Sequence, residues 1–213
     1  MTILPNFVVL EGADGAGTTT QLGLLGERFD RGLSPSLPPL YVTFEPTDGP
    51  VGSLIGSFLR KEITLMPETA ARLFAADRNE HLYGVGGVYE RCGRGELVVC
   101  DRYVLSSLVY QGIACGEALP RLLNGGFPVP ELLLYLDIDP SVSMKRIANR
   151  PQRDIYEYLD FQVQVRERYR ALVSRYREEG FPVMIIDASR PPQEVAGEIW
   201  RLLENLPIFH SNE

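Results

Sequence analysis

The sequence predicts an α/β fold of three layers, with a five-stranded parallel sheet between helices on both faces. Short apolar runs rich in β-branched residues alternate with helical patterns along all 213 residues, as in parallel sheets joined by right-handed crossovers. A glycine-rich stretch, "EGADGAGTTTQ" at 11–21, follows the first run. Glu11, Glu45 and Asp101 close the first three runs, at the sheet edge where ligands of such folds bind.

The five apolar runs are each short enough to be a buried strand and too short to be confused with a long helix. They are "NFVVLE" at 6–11, "LYVTFE" at 40–45, "LVVCD" at 97–101, "LLLYLDI" at 132–138 and "PVMIID" at 182–187.

Helical patterns fill the intervals. The first, at 18–32, has Leu22, Leu25 and Phe29 at helical spacing. We interpret 67–95 as one long helical stretch that ends in glycines. Another helix is expected directly after the third strand. Further helices are predicted at 141–150, 156–180 and 192–206.

No linker stands out, so we predict a single domain over 1–213. The short Pro-rich and Gly-rich segments at 31–40 and 124–131 are interpreted as loops that lead into the second and fourth strands.

Composition narrows the function classes. A net charge of -7 argues against a general nucleic-acid or membrane-surface binder, and no stretch reaches the ~18 apolar residues of a membrane span. The three cysteines have no C-x-x-C spacing and the N-terminus is a poor signal peptide, which favours a cytoplasmic protein. Apart from Lys61 and Lys145 the basic residues are arginines. This bias fits a phosphate site built from arginine, or simply GC-rich codon usage.

The glycine-rich stretch fits the phosphate-binding pattern G-x-x-x-x-G-K-[ST] at Gly12, Gly17 and Thr19, but Thr18 stands in the place of the lysine. Glycines let backbone N–H groups approach phosphate oxygens, and the Thr19 hydroxyl can ligate Mg²⁺. The alternative is a turn that binds nothing. The candidate ATP-phosphate-binding residues are Gly12, Ala13, Asp14, Gly15, Ala16, Gly17, Thr18, Thr19 and Thr20.

The chain resembles the thymidylate kinase family, a family of P-loop kinases that act on nucleoside monophosphates. The resemblance extends over nearly the full length. The order and spacing of several motifs carry it. They are "FVVLEGADGAGTTTQ", "TFEPTDGPVG", "ARLFAADRNEH", "VVCDRYVLSSLVYQG", "PELLLYLDIDP" and "RDIYEYLDFQVQVRERYRAL". The resemblance implies phosphoryl transfer from ATP with Mg²⁺ to dTMP, giving ADP and dTDP.

The resemblance also implies the acceptor site. Phe74 would stack on thymine and Arg78, four residues later on the same helix face, would donate to the base. The alternative is a core phenylalanine and an arginine paired with Asp77. Tyr110 would exclude a ribose hydroxyl, or be a half-buried core residue. The implied substrate-binding residues are Asp14, Glu45, Pro46, Phe74, Arg78, Arg102, Ser107, Tyr110 and Gln111. Phe44 replaces the family's arginine before Glu45, which weakens the match there.

The catalytic groups implied are Asp101, Arg102, Arg150 and Arg153. Arg102 would clamp the phosphates. Asp101 would act near the metal, which Thr19 would also ligate, or near the acceptor phosphate. The alternative is an Asp-Arg pair that caps a strand. Arg150 and Arg153 would belong to a mobile lid near 146–157, or to a solvated charged face. His81 and His210 lack recognisable partners in the sequence, and we assign neither a role.

The missing lysine allows three readings: an active kinase in which lid arginines and Arg102 supply the charge, a nucleotide-binding homologue that transfers poorly or not at all, or an engineered substitution. We favour the first. Another (deoxy)nucleotide or deoxynucleoside as acceptor is a further alternative. Family members are homodimers. An apolar contact face or ordinary core packing would each explain Leu73, Leu82, Val85 and Val88.

Overall fold

A computed structural model describes residues 2–31, 37–148, 155–156 and 158–210. Its five strands are all parallel and lie in the order β2-β3-β1-β4-β5. They are β1 Ile3–Gly12, β2 Leu40–Phe44, β3 Leu97–Asp101, β4 Val129–Asp137 and β5 Val183–Asp187. Every predicted strand is present. β1 begins at Ile3 rather than at 6 because its start pairs with β4 through an irregular register.

The helices surround this sheet. They are α1 Thr18–Asp30, α2 Pro50–Leu59, α3 Pro67–Tyr83, α4 Val88–Gly93, α5 Val104–Cys115, α6 Ala118–Asn124, α7 Pro140–Ile147, α8 Leu159–Glu178 and α9 Pro192–Leu203, with a 3₁₀ turn at Pro207–Phe209. The sequence did not predict α2 and α6. Within α2 two glycines lower the intrinsic helix propensity, and α6 has only seven residues. Among the described helices, none combines the length and the apolar character needed to cross a membrane.

The single helix predicted over 67–95 is wrong, because α3 ends at Tyr83 and α4 begins at Val88. A tight turn separates them. A Cβ at Gly87 would lie 2.7–2.8 Å from the carbonyl oxygens of His81, Leu82 and Gly84, so this turn requires glycine at position 87. The periodicity of apolar residues does not report such a steric requirement.

Alternate side chains of the strands enter two core layers. Val8 and Leu10 pack in one cluster with α1 and α9. On the opposite face, Phe7 and Val9 pack with α3 and α4, and Tyr135 packs with α5 and α8. Helices therefore cover both faces of the sheet, which confirms the predicted three-layer fold. In open sheets of this kind, ligands bind at the carboxyl ends of the strands.

Candidate active site

One cavity of about 560 Å³ opens at the carboxyl ends of the strands. Its wall holds the predicted site residues within the described ranges, except Gly12. Arg150 and Arg153 lie outside the described residues. Several wall residues were not predicted, including Gln21, Leu59, Tyr103, Ser106, Tyr156 and Arg190. The cavity thus joins the glycine-rich loop at one end to the Phe74–Arg78 segment at the other.

The loop between β1 and α1 presents backbone rather than side chains. Its turn is closed by the Ala16 N–H, which donates to the carbonyl of Ala13 at 3.0 Å. Gly15 has a φ of 81°, and a Cβ there would lie 2.5 Å from the Ser143 carbonyl oxygen, so glycine is required. The first turn of α1 has no acidic side chain, and Gly17, as its N-cap, has no side chain to offer. These helix N–H groups and the positive end of the helix dipole favour a bound anion.

A hydroxyl and a carboxylate meet beside the loop. Thr19 Oγ1 donates to Asp101 Oδ2 at 3.0 Å. Asp101 Oδ1 is buried and has no hydrogen-bond partner among the described residues. An unpartnered buried carboxylate oxygen beside a hydroxyl fits a hard divalent cation with oxygen ligands, such as Mg²⁺.

Arg102 follows Asp101 and turns back over the loop. Its φ is 69°, and its guanidinium donates to Asp14 Oδ1 at 2.7 Å and to the Gly12 carbonyl at 3.2 Å. Burial alone would lower the pKa of Arg102, but Tyr110 and Asp14 raise it well above its usual value. The side chain is still 24% exposed, so a fixed cation lies on the cavity wall.

Glu11 holds the turn that presents Arg102. Its Oε1 accepts from the backbone N–H of Tyr103 at 2.9 Å and of Ser106 at 3.1 Å. Its Oε2 accepts from the hydroxyls of Ser106 at 2.6 Å and Tyr169 at 2.9 Å. Burial raises the pKa of this fully buried carboxyl, although the hydrogen bonds oppose the shift. Because α5 has no cap from its own N-terminal residue, Glu11 caps it from β1.

Gln162 on α8 is a site residue that sequence reasoning missed. Its Nε2 donates to Asp14 Oδ2 at 2.6 Å and to the Tyr156 carbonyl at 2.9 Å, and its Oε1 accepts from the Asp14 N–H at 3.2 Å. Gln162 is fully buried. It therefore holds the oxygen of Asp14 that Arg102 does not contact. The two partners are 148 positions apart, and no local pattern connects them.

Arg78 lies at the far end of the cavity and is only 1% exposed. Its Nε donates to Glu45 Oε2 at 2.9 Å, and its Nη2 lies 2.7 Å from the same oxygen. Nη2 also donates to Ser107 Oγ at 3.1 Å, and Nη1 donates to Asn124 Oδ1. Asn124 was not predicted.

The alternative partner considered for Arg78, Asp77, has other contacts. Its carboxylate accepts from the backbone N–H and the hydroxyl of Thr47, at 2.8 and 2.7 Å. The pairing of Arg78 with Asp77 is therefore wrong.

The expectation that His81 lacks partners is also wrong. Its Nδ1 lies 3.0 Å from Glu45 Oε1 and its Nε2 lies 2.7 Å from Thr43 Oγ1. The side chain is 8% exposed. His81, one turn beyond Arg78 on the same helix, thus contacts the oxygen of Glu45 that Arg78 leaves free.

The remaining acceptor-side residues line the space in front of Arg78. Phe74 is half-buried on the cavity wall. Tyr110 and Gln111 come from α5, and Gln111 Oε1 is buried without a hydrogen-bond partner among the described residues. Phe44, in the position of the family's arginine, is 45% exposed and lies outside the cavity wall.

The apolar residues considered as a contact face divide into two groups. Leu82 and Val88 are fully buried in the core cluster of β1, β3 and α4, so core packing accounts for them. Val85 is fully exposed and Leu73 is half-buried.

Comparison of the sequence with known proteins identifies relatives of this chain. A sequence model of the family "Thymidylate kinase" matches residues 10–199. The chain is similar to a protein of Treponema pallidum, at 42% identity over 97% of each chain. It is also similar to one of Pyrobaculum aerophilum, at 40% identity over 95% of this chain and 98% of that one.

A protein of Geobacillus thermodenitrificans is 36% identical over 90% of this chain and 86% of its own. All three relatives carry the name thymidylate kinase, the first two with a provisional prefix. The matched region contains the glycine-rich loop, Asp101, Arg102 and the Phe74–Arg78 segment. The chain belongs to the thymidylate kinase family.

Proposed function

We propose that the protein transfers the terminal phosphoryl group of ATP to dTMP and releases ADP and dTDP. The observation that carries this proposal is the continuous cavity with the glycine-rich loop at one end and Arg78 at the other. Such an enzyme mainly positions the two phosphates in line and neutralises their charge. Asp101 and Arg102 lie between the two ends, where the phosphoryl group would pass.

The polar groups around Arg78 suit thymine. An N–H of Arg78 would donate to a ring carbonyl, and Gln111 Oε1, which has no partner among the described residues, would accept from the ring N–H. Cytosine presents an amino group and an unprotonated nitrogen at the same positions and would leave both protein groups unpaired, which costs about 1–3 kcal/mol each. Phe74 supplies a flat apolar surface for the ring.

The sugar would lie between Tyr110 and Asp14. The Tyr110 ring lies 5.3 Å from the Arg102 guanidinium, so its bulk limits the space at the 2′ position and favours deoxyribose. Asp14 is fixed by Arg102 and Gln162.

Mg²⁺ would be held by Thr19 and Asp101, the pair with the unpartnered carboxylate oxygen. When bound, it would supply positive charge that neutralises the donor phosphates. Asp101 and Thr19 come from β3 and α1, so the strand and the helix fix their separation before any ion arrives.

Arginines would replace the charge of the absent lysine. Thr18 is buried against the cavity and carries no charge, while Arg102 and Arg146 lie on the wall. Arg150 and Arg153, from the proposed lid near 146–157, would add charge over the donor phosphates. A cation from another element can contribute about 10³–10⁵ in rate in related chemistry.

An ADP-release assay with dTMP, dUMP, CMP and GMP tests the proposal. We expect turnover with dTMP to exceed that with CMP and GMP. The neutral side chain of Thr18 favours one second candidate, a homologue that binds nucleotide without transfer. If none of the four acceptors gave ADP release while calorimetry showed ATP binding, that candidate would be established instead.

The proposal that arginines supply the charge of the absent lysine has a separate test. Arg150→Ala and Arg153→Ala are each expected to lower turnover with little effect on unfolding. If both variants kept the wild-type turnover, another group would have to supply the charge.

Three further proposals concern domain organisation, cellular compartment and oligomeric state. The chain acts as one domain, functions in the cytoplasm and forms a homodimer through the surface around α3, where Tyr83, Val85 and Tyr89 are exposed. Free thiols at all three cysteines suit a reducing compartment. Light scattering on the purified protein reads the oligomeric state directly.

A further inference from the structure

We propose that His81 is a positioning residue for acceptor recognition: it fixes Glu45, and through Glu45 it fixes the guanidinium that meets the base. The inference rests on the proposed function, because it takes Arg78 as the group that contacts the acceptor. His81 itself is absent from the cavity wall among the described residues. It would therefore act through other groups and not on the reacting atoms.

The hydrogen bonds around His81 fix its tautomer. Glu45 is paired with Arg78, so its carboxylate only accepts, and the 3.0 Å contact to Oε1 requires a proton on Nδ1 of His81. In the neutral ring Nε2 is then the acceptor, and the Thr43 hydroxyl donates to it at 2.7 Å. Thr43, near the end of β2, thus sets the orientation of a ring on α3.

Glu45 divides its two oxygens between His81 and Arg78. Oε2 accepts from Nε and lies next to Nη2 of Arg78, while Oε1 faces His81. Without His81, Oε1 would lose its one donor among the described residues. The carboxylate could then rotate, and both of its contacts with Arg78 would change.

Arg78 has few N–H groups to spare. A guanidinium carries five N–H donors. Nε and Nη2 are occupied by Glu45 and Ser107, and Nη1 donates one of its two to Asn124. One N–H of Nη1 is left for a ligand among these contacts. Its direction depends on the orientation of the whole fork, and therefore on Glu45 and His81.

A metal site is the main alternative for these groups. Ligand atoms of Glu45, His81 and Cys100 lie within 4.8 Å of one another. The Arg78 guanidinium is already paired with Glu45 at 2.7 Å, and a metal ion would meet that positive charge. We therefore assign the cluster to hydrogen bonding, and metal analysis of the purified protein tests the choice.

The experiment separates the two ring nitrogens. In His81→Asn the amide nitrogen takes about the place of Nδ1 and keeps the donor to Glu45. In His81→Gln the amide takes about the place of Nε2 and keeps only the contact with Thr43. Dissociation constants of dTMP, dCMP and ATP are measured by calorimetry, with melting temperatures alongside, and dCMP serves as the ligand without the second ring carbonyl.

We expect His81→Gln to weaken dTMP about tenfold, as one lost charge-assisted hydrogen bond does. The same variant should leave dCMP and ATP binding unchanged, and His81→Asn should stay within about twofold of wild type for dTMP. An equal loss of dTMP and dCMP would reduce His81 to a structural role and overturn the proposal. So would equal losses in His81→Asn and His81→Gln, or stoichiometric zinc in the wild-type protein.

Thr43→Val provides a second test of the role of His81 if the His81 variants do not fold. It removes the donor to Nε2 and should weaken dTMP, but not dCMP, by about threefold. If Thr43→Val weakened dTMP no more than it weakened dCMP, the proposal would be overturned. Wild-type turnover with dTMP is measured first, so that a failure of the proposed function is seen separately from a failure of the role of His81.

Discussion

The two ends of the cavity differ in how far the protein satisfies its own charges. At the acceptor end Arg78 and Glu45 are buried, and they are paired with each other and with Ser107, Asn124 and His81. At the donor end Asp101 Oδ1 has no partner among the described residues, and the start of α1 has no side-chain cap. The charges at the acceptor end are thus paired within the protein, whereas the groups at the donor end are the ones that the proposed cation and phosphates would complete.

This difference predicts which variants should change the stability of the fold and which should change only the activity. Removing one member of a buried charge pair leaves the other uncompensated and destabilises the fold. A group whose partner is the ligand contributes little to the folded state alone. Variants at the acceptor end should therefore lower both stability and activity, and variants at the donor end should lower activity.

The largest effect is expected at Arg102. Arg102→Ala removes the cation held over the loop and should lower turnover about 10³-fold, the scale for losing a charge stabiliser of phosphoryl transfer. The change is read in the ADP-release assay at saturating dTMP. Arg102→Lys is the matched control, and it should recover only part of the rate because it lacks the fork that contacts Asp14 and Gly12. A large fall in unfolding free energy in both variants would contradict the contrast between the two ends.

Arg78→Met should have the largest effect on stability. It leaves Glu45 charged and buried, and we expect the free energy of unfolding in urea to fall by about 3–5 kcal/mol. The double variant Arg78→Met with Glu45→Gln removes both charges and should recover most of the loss. If the double variant were as unstable as the single one, packing rather than charge would explain the effect.

The partly exposed ion pair of Arg166 and Asp137 can be compared with the buried pair of Arg78 and Glu45. Arg166 donates to Asp137 at 2.8 Å, with side chains 23% and 13% exposed. Partial burial raises the pKa of Asp137, but the hydrogen bond and charge of Arg166, with Arg170, bring it below its usual value. Because the folded pKa is depressed, the pair stabilises the fold above the unfolded pKa, and this stability is lost as the pH falls through the folded pKa.

Arg166→Met should therefore lower the unfolding free energy near neutral pH by about 1 kcal/mol, less than at Arg78 because solvent screens the pair. The difference from wild type should shrink once the pH falls below about 4, where Asp137 is protonated in the unfolded chain. Urea unfolding at about pH 7, 5 and 3 provides the measurement. A difference that stayed constant across this range would exclude Asp137 as the source.

The smallest effect is expected for Thr18→Lys. Position 18 lies at the start of α1 and lines the cavity, so a lysine side chain can extend into the cavity and should leave the free energy of unfolding nearly unchanged. Turnover should rise or stay unchanged, since the arginines already supply charge. A fall in turnover with an unchanged melting temperature would show that the loop is shaped for threonine and not for a cation.

Local patterns in the sequence were enough to predict the sheet and the glycine-rich loop, because both follow from short apolar runs and the glycines after the first of them. The other wall residues, such as Phe74, Arg78 and Arg102, were implied by the resemblance to the family, since the spacing of Phe74 and Arg78 alone would equally fit a core residue and a surface ion pair. Asn124, Gln162 and His81 act through partners 46, 148 and 36 positions away, respectively. Amide and imidazole groups at such separations have no periodic signature.

The sequence-based prediction of helices was wrong at the turn between α3 and α4 and missed α2. The break between α3 and α4 depends on three carbonyl oxygens that converge on Gly87. The helix α2 forms although its glycines disfavour it, because Ile55 is buried within the fold. The first outcome depends on the sterics of a local turn and the second on tertiary packing, and residue propensities contain neither.

Gly15 lies so close to α7 that the Ser143 carbonyl occupies the space of a side chain. The glycine-rich loop and α7 are therefore in direct backbone contact, and the last residues of α7 overlap the lid that we propose near 146–157. Any movement of that helix is transmitted to the loop without an intervening side chain. A methyl group at position 15 would lie 2.5 Å from that carbonyl oxygen and would have to push the loop and α7 apart.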